Sequence, residues 1–520
     1  MLKRKLSAII LTLLLTWMAT WAFNIRSAKT NPSTITVPDD YPTIQQAVDA
    51  ADPGDIVYVK QGTYYEHLVL GKNVSLYGED PGNTVIDGNN TGEVVAVNED
   101  GAMVDGFTIQ NGSFGILATS VARGNISRNI VKNCFFGVSL QSCLMTDLSD
   151  NIIISNQHGI RIVNSANVRM RRNNLTDNLY NFDVSVDTEN TPMYVHDIDA
   201  SNYLDGKPMY YLVNQRDIEI PSNAGFVAAV NCDNISARSL DLRNNVVSVL
   251  FISSNDSLIQ KLNISDNEAY GISLVRSEHN VISENTVNNS QWAIRLWYSS
   301  IGNEIYGNFV TDSGYGILLH GPLCDQNRIF NNTAMGNYYG IHLGGETYMN
   351  VIERNVLTNN TIGLSMDANS MNIWRENMVE GNNVGLYAWA TLNNYFYHNN
   401  FVGNRRGVSL KDARDFWDNG CEGNYWSDYN GTDLDNDGVG DTELPWLGVD
   451  YFPLVNPFWN AGDVNHDSRI NGKDVAILCK AYGTEQGEPN WNPHADENSD
   501  LKIDGEDIAI VATYFNAHFP

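Results

Sequence analysis

The stretch "YGILLHGPLCDQNRIFNNTAMGNYYGIHL", residues 315–343, decides the fold because it contains one full period of a repeat. Its Gly-Ile-Leu-Leu at Gly316 returns as Gly-Ile-His-Leu at Gly340. A period this short cannot hold a pair of helices, but it can hold three short strands joined by tight turns. It predicts one coil of a parallel β-solenoid.

The repeat extends in both directions from this coil. Its first residue recurs every 22 to 24 positions, at Gly271, Ala293, Gly316, Gly340, Gly363, Gly385 and Gly407, and upstream at Gly115, Gly137, Gly159 and Asn181. Apolar residues alternate with a period of two, which excludes a helical solenoid. The sequence therefore predicts a mainly β fold of three-strand coils.

Two columns of asparagine run in phase with the repeat. They are Asn280, Asn303, Asn327, Asn350, Asn372 and Asn394, and Asn285, Asn308, Asn332, Asn355, Asn377 and Asn399. Asparagine and glycine suit left-handed turns. Equivalent asparagines in successive coils can also hydrogen-bond up the stack, so we expect two ladders.

The segment before the first coil, "YPTIQQAVDAADPGDIVYVKQGTYYE", residues 41–66, predicts a covering element. Ile44, Ala47, Val48 and Ala51 form one apolar side of a helix, and a strand follows. This segment resembles the opening of pectin-lyase-like right-handed β-helices. The repeats resemble those of the NosD-like carbohydrate-binding and sugar-hydrolase family over about residues 34–460. The resemblance implies a right-handed parallel β-helix at 34–420, but it does not fix the chemistry.

The repeat fails between 187 and 222, which predicts an insertion or a distorted coil. One reading is a loop packed along the rod. The other is a substrate-shaping loop that carries His196, Asp197, Asp199, Asp205 and Lys207. The same phrase resembles one in NosD-like chains, for which copper delivery is implied, but the segment contains no cluster of Met, His or Cys that favours copper.

Two loops near the end of the chain place oxygen ligands at alternate positions. The first contains Asp463, Asn465, Asp467, Arg469 through its carbonyl, Asn471 and Asp474, and the second contains Asp496, Asn498, Asp500, Lys502 through its carbonyl, Asp504 and Asp507. Alternate oxygens can surround one hard cation with six to eight ligands. Each loop precedes an apolar helical pattern, so the pair predicts two calcium sites.

The tandem loops resemble a type I dockerin over residues 460–520, a small α-helical domain. That resemblance implies folding by calcium and binding to a cohesin-bearing scaffold protein. It also implies that Gly472, Lys473, Gly505 and Glu506 help to choose the cohesin. The loops depart from the usual pattern at position six, where Ser468 and Leu501 replace glycine.

A third acidic run lies in segment 421–459, between the last coil and the dockerin-like part. Asp433, Asp435, Asp437 and Asp441 alternate near two glycines, which favours a structural calcium site. The alternative is a solvated linker. The aromatic residues of this segment are too apolar for a free linker, so we expect a C-terminal cap.

One row of strand residues is predicted to face outward along the rod. We call Arg295, Trp297, Leu318, His320, His342, Ser365, Asp367, Tyr387, Trp389, Ser409 and Lys411 the outward strip. Of these, Arg295, Trp297, His320, His342, Asp367, Tyr387 and Trp389 are the candidate contacts for a polysaccharide, because aromatic rings stack on sugars and polar groups bind hydroxyl or uronate groups. The alternative is that the aromatic residues stack on one another for stability. The strip contains one carboxylate, so no catalytic pair is named.

Charge and the first residues bear on location and partners. The net charge of −29 argues against nucleic acid as a partner. A basic head and the apolar run from Leu6 to Phe23 predict a secretion signal or an uncleaved membrane anchor at 1–28. The protein is therefore expected outside the cell or on its surface.

Six scattered cysteines predict small buried side chains, with a Cys134–Cys143 bridge as the alternative.

Three hypotheses of function follow. The first is a scaffold-attached protein that binds polysaccharide, with degradation by a lyase or glycoside hydrolase activity left open. The second is a structural or adhesive surface rod without catalysis. The third is a metal-delivery factor like the namesake of the repeat family.

Overall fold

The computed structural model describes residues 32–186, 191–435, 437–458, 462–464, 470–485, 488–492, 495–497, 502–513 and 515. Over these residues the chain forms a right-handed parallel β-helix, so the predicted fold class is confirmed. The predicted signal or anchor lies outside the described residues. No helix in the described ranges is long and apolar enough to cross a membrane.

The solenoid consists of two stacks of coils, and each stack has three sheets. The first stack has one side sheet of Thr34–Val37, Ile56–Val59, Ser75–Gly78, Met103–Asp105, Asn125–Ser127, Asp147–Ser149, Arg169–Arg171 and Asp197–Ile198. Its second side sheet contains Gly62–Tyr64, Thr84–Asp87, Thr108–Gln110, Ile130–Lys132, Ile152–Ile154, Asn174–Thr176 and Tyr203–Leu204. Its front sheet contains Leu68–Leu70, Glu93–Val97, Phe114–Thr119, Phe136–Gln141, His158–Val163 and Tyr180–Ser185.

The second stack repeats this arrangement. Its front sheet contains Lys207–Val213, Phe226–Val230, Val247–Ile252, Tyr270–Val275, Trp292–Trp297, Tyr315–His320, Tyr339–Gly344, Ile362–Asp367, Val384–Trp389 and Val408–Lys411. One side sheet contains Arg216–Glu219, Asp233–Arg238, Leu258–Gln260, Val281–Ser283, Glu304–Tyr306, Arg328–Phe330, Val351–Glu353, Ile373–Arg375, Leu392–Tyr397 and Arg414–Phe416. The other contains Asp241–Arg243, Asn263–Ser265, Thr286–Asn288, Phe309–Thr311, Thr333–Met335, Val356–Thr358, Met378–Glu380, Asn400–Val402 and Tyr425–Trp426.

The two stacks meet at a reversal of the chain. Strand Tyr203–Leu204 pairs antiparallel with strand Lys207–Val213, which begins the second front sheet. Strands Phe226–Val230 and Val247–Ile252 are buried on both faces. One row of their side chains enters the core of the second stack, and the other joins the core of the first stack. The second front sheet therefore covers the open end of the first stack.

The segment that lacks the repeat is part of the solenoid in its described portion, 191–222. A 3₁₀ turn, Thr191–Tyr194, is followed by Asp197–Ile198 and Tyr203–Leu204. These two short strands pair in parallel with strands of the preceding coil. The segment is thus a distorted coil at the junction of the stacks, and not a loop lying along the rod.

A short helix covers the beginning of the first stack, as predicted. Helix α1, Ile44–Ala50, buries Ile44, Ala47 and Val48. The carboxylate of Glu66 accepts hydrogen bonds from the first main-chain N–H groups of the helix, at 2.9 Å each. Because those groups have no partner inside a helix, Glu66 anchors the helix to the coil beneath it.

Both asparagine ladders are present, as predicted. At Asn332, the side-chain oxygen accepts from the N and Nδ2 of Asn308 at 3.0 and 2.9 Å, and Nδ2 donates to Asn355 Oδ1 at 3.0 Å. The left-handed conformation falls on the residue before each ladder position, for example Asn331 with φ of 53°. Each ladder asparagine is therefore a buried polar link between coils, while its neighbour makes the turn.

The C-terminal end of the second stack is closed by residues 421–458. Trp426 stacks on Phe401 at 4.3 Å between ring centroids and lies in the core. The carboxylate of Asp450 ends one asparagine ladder, since it accepts from Asn424 N at 2.9 Å and from Trp426 Nε1 at 2.8 Å. Burial raises the pKa of Asp450 to about 6. This packing is a cap rather than a free linker.

Two helices form a separate small core after the cap. They are α2, Gly472–Ala481, and α3, Gly505–Thr513, and they contact each other. Leu478, Ile503 and Val511 are buried between them. A short antiparallel pairing joins the two halves, because Gly483 N donates to Ile503 O at 2.8 Å and Ile503 N donates to Thr484 O at 3.0 Å.

The cysteines are free thiols in this structure. Cys134, Cys143, Cys232 and Cys324 are buried, and Cys421 and Cys479 are exposed. The alternative of a Cys134–Cys143 bridge is therefore wrong, and the buried thiols fill space between coils. Burial raises the pKa of Cys134 to about 11, which keeps this thiol protonated and inert.

Candidate functional site

The front sheet of the second stack turns three columns of side chains outward. The columns are Tyr270, Trp292, Tyr315 and Tyr339; Ser273, Arg295, Leu318, His342, Ser365, Tyr387 and Ser409; and Val275, Trp297, His320, Gly344, Asp367, Trp389 and Lys411. The strand register therefore aligns the residues of the outward strip in the predicted order. Each column runs along the axis of the solenoid.

The exposure of the outward strip differs from the expectation. Leu318, His342 and Ser365 are only 3%, 8% and 1% exposed. The rings of Tyr315 and Tyr339 lie 5.5 and 5.3 Å from that of His342, so they cover this residue. In the third column, Trp389 and Lys411 are exposed and Trp297, His320 and Asp367 are half-buried, whereas Val275 and Gly344 are buried. The accessible side chains therefore lie mainly in the third column, and the idea of a fully exposed strip is wrong in its centre.

Much of the aromatic surface on this face stacks on itself. Tyr315 and Tyr339 lie 4.6 Å apart between ring centroids, and Trp297 and His320 lie 4.8 Å apart at 13°. Such pairs stabilise neighbouring strands by about 0.5–1.5 kcal/mol each. The stacking alternative therefore applies to these residues, and a ligand would reach Trp297 at its edge rather than its covered face.

A cavity opens beside Trp297, at the junction of the two stacks. Its volume is about 300 Å³, and it is lined by Asp183, Val184, Ser185, Val186, Tyr194, Leu250, Tyr270, Val275, Arg295, Trp297 and Tyr298. Its walls thus come from the last front strand of the first stack, from the distorted coil and from the second front sheet. The cavity exists because the repeat is broken at this point.

Arg295 is the central polar group of this cavity. Its guanidinium carbon lies 3.8 Å from the ring centroid of Tyr270 and 4.9 Å from that of Trp297. Its Nε and Nη2 donate to Ser273 Oγ at 3.1 and 2.9 Å. Burial lowers the pKa of Arg295, although the guanidinium stays charged at neutral pH.

Asp183 and Tyr194 are cavity residues that the sequence did not single out. Burial raises the pKa of the Tyr194 hydroxyl to about 12, and Arg295 acts against this shift. Burial also raises the pKa of the Asp183 carboxyl, although Arg161 lies 3.2 Å away. The break in the repeat was the feature of the sequence that could have indicated these two residues, because an irregular coil leaves a cavity beside a regular one.

A cluster of ionisable groups continues from the cavity onto the first front sheet. His158 Nδ1 lies 3.5 Å from Glu268 Oε2. Burial raises the pKa of Glu268, and the nearby Asp183 adds to this effect. Burial, followed by the charge of Arg161, lowers the pKa of His158. Among the described residues, Arg161 is the cation that acts on all three of these groups, and Arg295 forms no ion pair with them.

Three residues of the outward strip meet farther along the sheet. His342 Nε2 lies 3.0 Å from Asp367 Oδ1, and His342 Nδ1 lies 2.9 Å from Ser365 Oγ. Burial alone would raise the pKa of Asp367, but the hydrogen bond with His342 and the charges of His342 and His320 together outweigh burial and lower that pKa. Both nitrogens of His342 are thus engaged, so this residue positions Asp367 and does not face the solvent.

The charged residues of the distorted coil do not converge on the outward strip. Asp197 and Asp199 lie 2.5 and 3.1 Å from Arg171, on a side sheet of the first stack. Lys207 lies 3.3 Å from Asp241, and His196 is buried with its pKa lowered by burial to about 4. His196, Asp197 and Asp199 instead line a separate cavity of about 370 Å³, so their role as a substrate-shaping group stays a prediction. Tyr194 is the residue of this coil that lines the cavity beside Trp297.

The C-terminal acidic loops are described in part. Asn465, Asp467, Arg469, Asn498 and Asp500 lie outside the described residues. Asp463, Asp474 and Asp507 are buried, whereas Asp504 is half-buried and Lys502 is exposed. Asp474 Oδ2 accepts from Asn471 N, and Asp507 Oδ2 accepts from Asp504 N, each at 2.7 Å. Asp496 is half-buried at the start of the second loop.

These described loop residues fit a hard cation. The last carboxylate of each loop is completely buried at the start of a helix, and burying charge is costly unless it is paired or binds a metal. Burial raises the pKa of the neighbouring Glu497 to about 7, with Asp507 and Asp474 among the charges that add to it. A divalent cation would offset this concentration of negative charge.

The third acidic run also brings oxygen ligands together. Asp433, Asp435 and Asp441 offer carboxylate oxygens that lie within 4.8 Å of one another. Asp437 is outside this group, and its Oδ1 accepts from Val439 N at 2.9 Å. Partial desolvation, followed by the charges of Asp437 and Asp441, raises the pKa of Asp435. Three of the four predicted ligands are therefore placed for one cation.

The predicted partner-binding residues lie at equivalent places in the two C-terminal helices. Gly472, Lys473, Gly505 and Glu506 are exposed in the first turns of α2 and α3. A groove of about 400 Å³ lies between the helices and is lined by Val475, Leu478, Ile508, Val511, Ala512 and Phe515. The apolar groove was not predicted from the sequence, although Val475 and Ile508 occupy matching positions after the two loops.

Comparisons with known proteins agree with this architecture. The family described as "Periplasmic copper-binding protein (NosD)" matches residues 73–210, 211–313 and 308–431, with a boundary at the junction of the stacks. The chain belongs to the NosD family. Residues 461–516 match the type I dockerin domain, so the predicted domain is confirmed. No protein of curated function is similar enough in sequence to match this NosD-family chain.

Several solved β-helix structures resemble this NosD-family chain weakly. The A-module of the mannuronan C-5 epimerase AlgE4 of Azotobacter vinelandii is 17% identical, with coverage of 57% of this chain and 92% of that one and a TM-score of 0.26. The catalytic domain of a GH87 α-1,3-glucanase is 12% identical, with coverage of 63% and 65% and a TM-score of 0.29. The periplasmic alginate epimerase AlgG is 13% identical, with coverage of 65% and 79% and a TM-score of 0.27.

The description of the NosD family names copper, whereas this chain supplies little support for copper at the candidate site. Among the described residues, the group Asp433, Asp435 and Asp441 is where three ligand atoms of His, Cys, Asp or Glu meet closely. Carboxylate oxygens favour calcium or magnesium over copper. The dockerin domain of this NosD-family chain indicates attachment to a scaffold through a cohesin partner.

Proposed function

We propose that this protein is an extracellular or cell-surface component that binds polysaccharide on the front face of its second stack. The dockerin domain attaches it to a cohesin-bearing scaffold, and calcium holds the dockerin loops in shape. The observation that carries the proposal is the cavity beside Trp297, where a guanidinium, a phenol and an indole edge converge next to an accessible column of side chains.

The third outward column supports binding of an extended polymer. Trp297, His320, Gly344, Asp367, Trp389 and Lys411 follow one another in register, and adjacent strands lie about 4.8 Å apart. Trp297 and Trp389 are therefore roughly 19 Å apart along the axis. A chain of several sugars spans such a distance, with the cavity at one end and the exposed Trp389 at the other.

The proposal is tested with the purified full chain and a panel of pectins, xylans, glucans and alginates. We expect binding to at least one polymer, and at least a tenfold loss of affinity in Trp389→Ala. Tyr395→Ala is the matched control, because Tyr395 is 40% exposed in an aromatic stack on a side sheet. Lack of binding to every polymer would remove the proposal.

A structural or adhesive rod is the second candidate function, and the self-stacking of the tyrosine and tryptophan columns favours it. If this candidate is the whole account, Trp389→Ala leaves all partner interactions unchanged. A loss of glycan binding in that variant decides against it. Release of reducing or unsaturated ends from a bound polymer would instead add catalysis to the first candidate.

A further inference from the structure

The charge of Arg295 has no acidic partner among the residues that the structure describes. No carboxylate of the described residues lies within 4.0 Å of its guanidinium, whereas the neighbouring cation Arg161 is paired with Asp183. The partners of Arg295 are a neutral hydroxyl, Ser273 Oγ, and the faces of Tyr270 and Trp297. A cation that is largely removed from water and held only by neutral groups is costly to bury, and binding of an anion would offset that cost.

The surroundings of Arg295 limit what this anion can be. The cavity of about 300 Å³ is large enough for a single sugar ring and is at the small end for ligand sites. Its lining combines the apolar side chains of Val186, Leu250 and Val275 with polar groups. Such a lining suits the mixed apolar and polar surface of a sugar better than a fully hydrated inorganic ion.

The guanidinium is held in a fixed orientation. Two of its five N–H groups donate to Ser273 Oγ, and the rings of Tyr270 and Trp297 restrict its plane. Planar N–H groups of this kind match the two oxygens of a carboxylate. Ser273 and Tyr270 therefore act as positioning residues for Arg295.

We infer that the cavity binds the carboxylate of an acidic sugar residue, a uronate, through Arg295. This inference rests on the proposed function and specifies its substrate class. Asp183 does not oppose the ligand, because its carboxylate is already paired with Arg161 and it can accept a hydrogen bond from a sugar hydroxyl. Tyr194 also lines the cavity.

The test compares polymers that differ in the carboxylate alone. Alginate, polygalacturonate and glucuronoxylan are each measured against the carboxyl-reduced form of the same polymer, using the full chain at fixed calcium concentration. Dextran sulfate is included because a sulfate could supply the same negative charge. We expect the full chain to bind at least one uronate polymer tenfold or more tightly than its reduced form and than dextran sulfate.

Variants test whether this difference in affinity between the uronate polymer and its reduced form arises at the cavity. Arg295→Gln is expected to lose at least tenfold in affinity for the uronate polymer and to leave the affinity for the reduced polymer unchanged. Arg295→Lys keeps the charge but not the planar set of N–H groups. Its affinity for the uronate polymer should therefore lie between that of the unchanged protein and that of Arg295→Gln. Arg216→Gln is the matched control, since Arg216 is an exposed arginine on a side sheet. Ser273→Ala provides a milder test if Arg295→Gln does not fold.

The outcomes distinguish failure of the uronate assignment from failure of the proposed function. Equal binding to uronate and reduced polymers would overturn the carboxylate assignment and leave polysaccharide binding in place. Tighter binding to dextran sulfate would replace carboxylate by sulfate and would also overturn it. An unchanged preference in both Arg295→Gln and Ser273→Ala would place the uronate elsewhere. Failure to bind any polymer would instead overturn the proposed function.

Discussion

The guanidinium carbon of Arg295 lies 3.8 Å from the centre of the Tyr270 ring, one coil below it in the second stack. The two residues are on adjacent strands of the front sheet, at the point where the distorted coil opens a cavity. A cation held over an aromatic face keeps its charge and its orientation at low solvation. This relationship links the break in the repeat to the candidate site.

Removal of the Tyr270 ring should weaken ligand binding without removing the charge. We expect Tyr270→Ala to lose roughly threefold to tenfold in affinity for the preferred polymer, since a cation–π contact contributes about 0.5–2 kcal/mol. Tyr270→Phe keeps the ring and should lose less. Calorimetry on both variants checks this, and an equal loss in the two would mean that the hydroxyl, and not the ring, positions Arg295.

The asparagine ladder should contribute strongly to stability. Asn332→Ala removes the acceptor of two bonds from Asn308 and leaves buried polar groups unsatisfied. We expect the free energy of unfolding to fall by about 2–4 kcal/mol. Asn383→Ala, at an exposed turn position of the same repeat, should change it by less than about 0.5 kcal/mol. Denaturant unfolding measures both, and similar losses would contradict the role of the ladder.

The stability of the C-terminal cap should depend on pH through Asp450. The folded protein holds the proton of this buried carboxyl up to about pH 6, whereas an unfolded aspartate releases it near pH 4. Stability from this group is therefore complete below about pH 4 and is lost as the pH rises to 6. The loss amounts to about 3 kcal/mol at most.

Comparison of variants isolates the effect of Asp450. Asp450→Asn cannot titrate, so its free energy of unfolding should fall less between pH 4 and 6 than that of the natural protein. Asp412→Asn, at an exposed position, should retain the natural slope. Chemical unfolding across this pH range is the measurement, and an unchanged slope in Asp450→Asn would show that another group is responsible.

Calcium should fold the dockerin domain and leave the solenoid intact. Treatment of the full chain with a chelator should reduce the helical signal of the last sixty or so residues, while the β signal stays. Asp474→Ala together with Asp507→Ala removes the buried final ligand of each loop and should abolish two calcium-binding steps in calorimetry. Glu488→Gln is the control. Unchanged calcium uptake in the double variant would contradict the assignment of the loops.

The fold could be predicted from the sequence because every coil has the same pattern of residue types. Glycine and asparagine at fixed spacing, with apolar residues at alternate positions, specify strand, turn and interior at once. The ladder from Asn280 and that from Asn285 were predicted for this reason. The turn itself was assigned one residue too late, since the left-handed conformation falls on the preceding residue, such as Glu284.

The candidate site was predicted in part. Arg295 and Trp297 follow from the strand register, which sequence spacing determines. The burial of His342 was not predictable from spacing, because it depends on how Tyr315 and Tyr339 lean across neighbouring strands. Asp183 and Tyr194 lie at the site because the two stacks meet there. The spacing of residues in the repeat does not reveal how the stacks meet, so these two residues could not be predicted.

Hydrogen–deuterium exchange on the full chain, with and without its preferred polysaccharide, tests the central claim most directly. Binding to the front face of the second stack predicts slower exchange in Trp292–Trp297, Tyr315–His320 and the segment around Tyr194. Exchange in the side-sheet strands Arg328–Phe330 and Val356–Thr358 should not change. Protection confined to those side sheets, or to the first stack, would contradict the account.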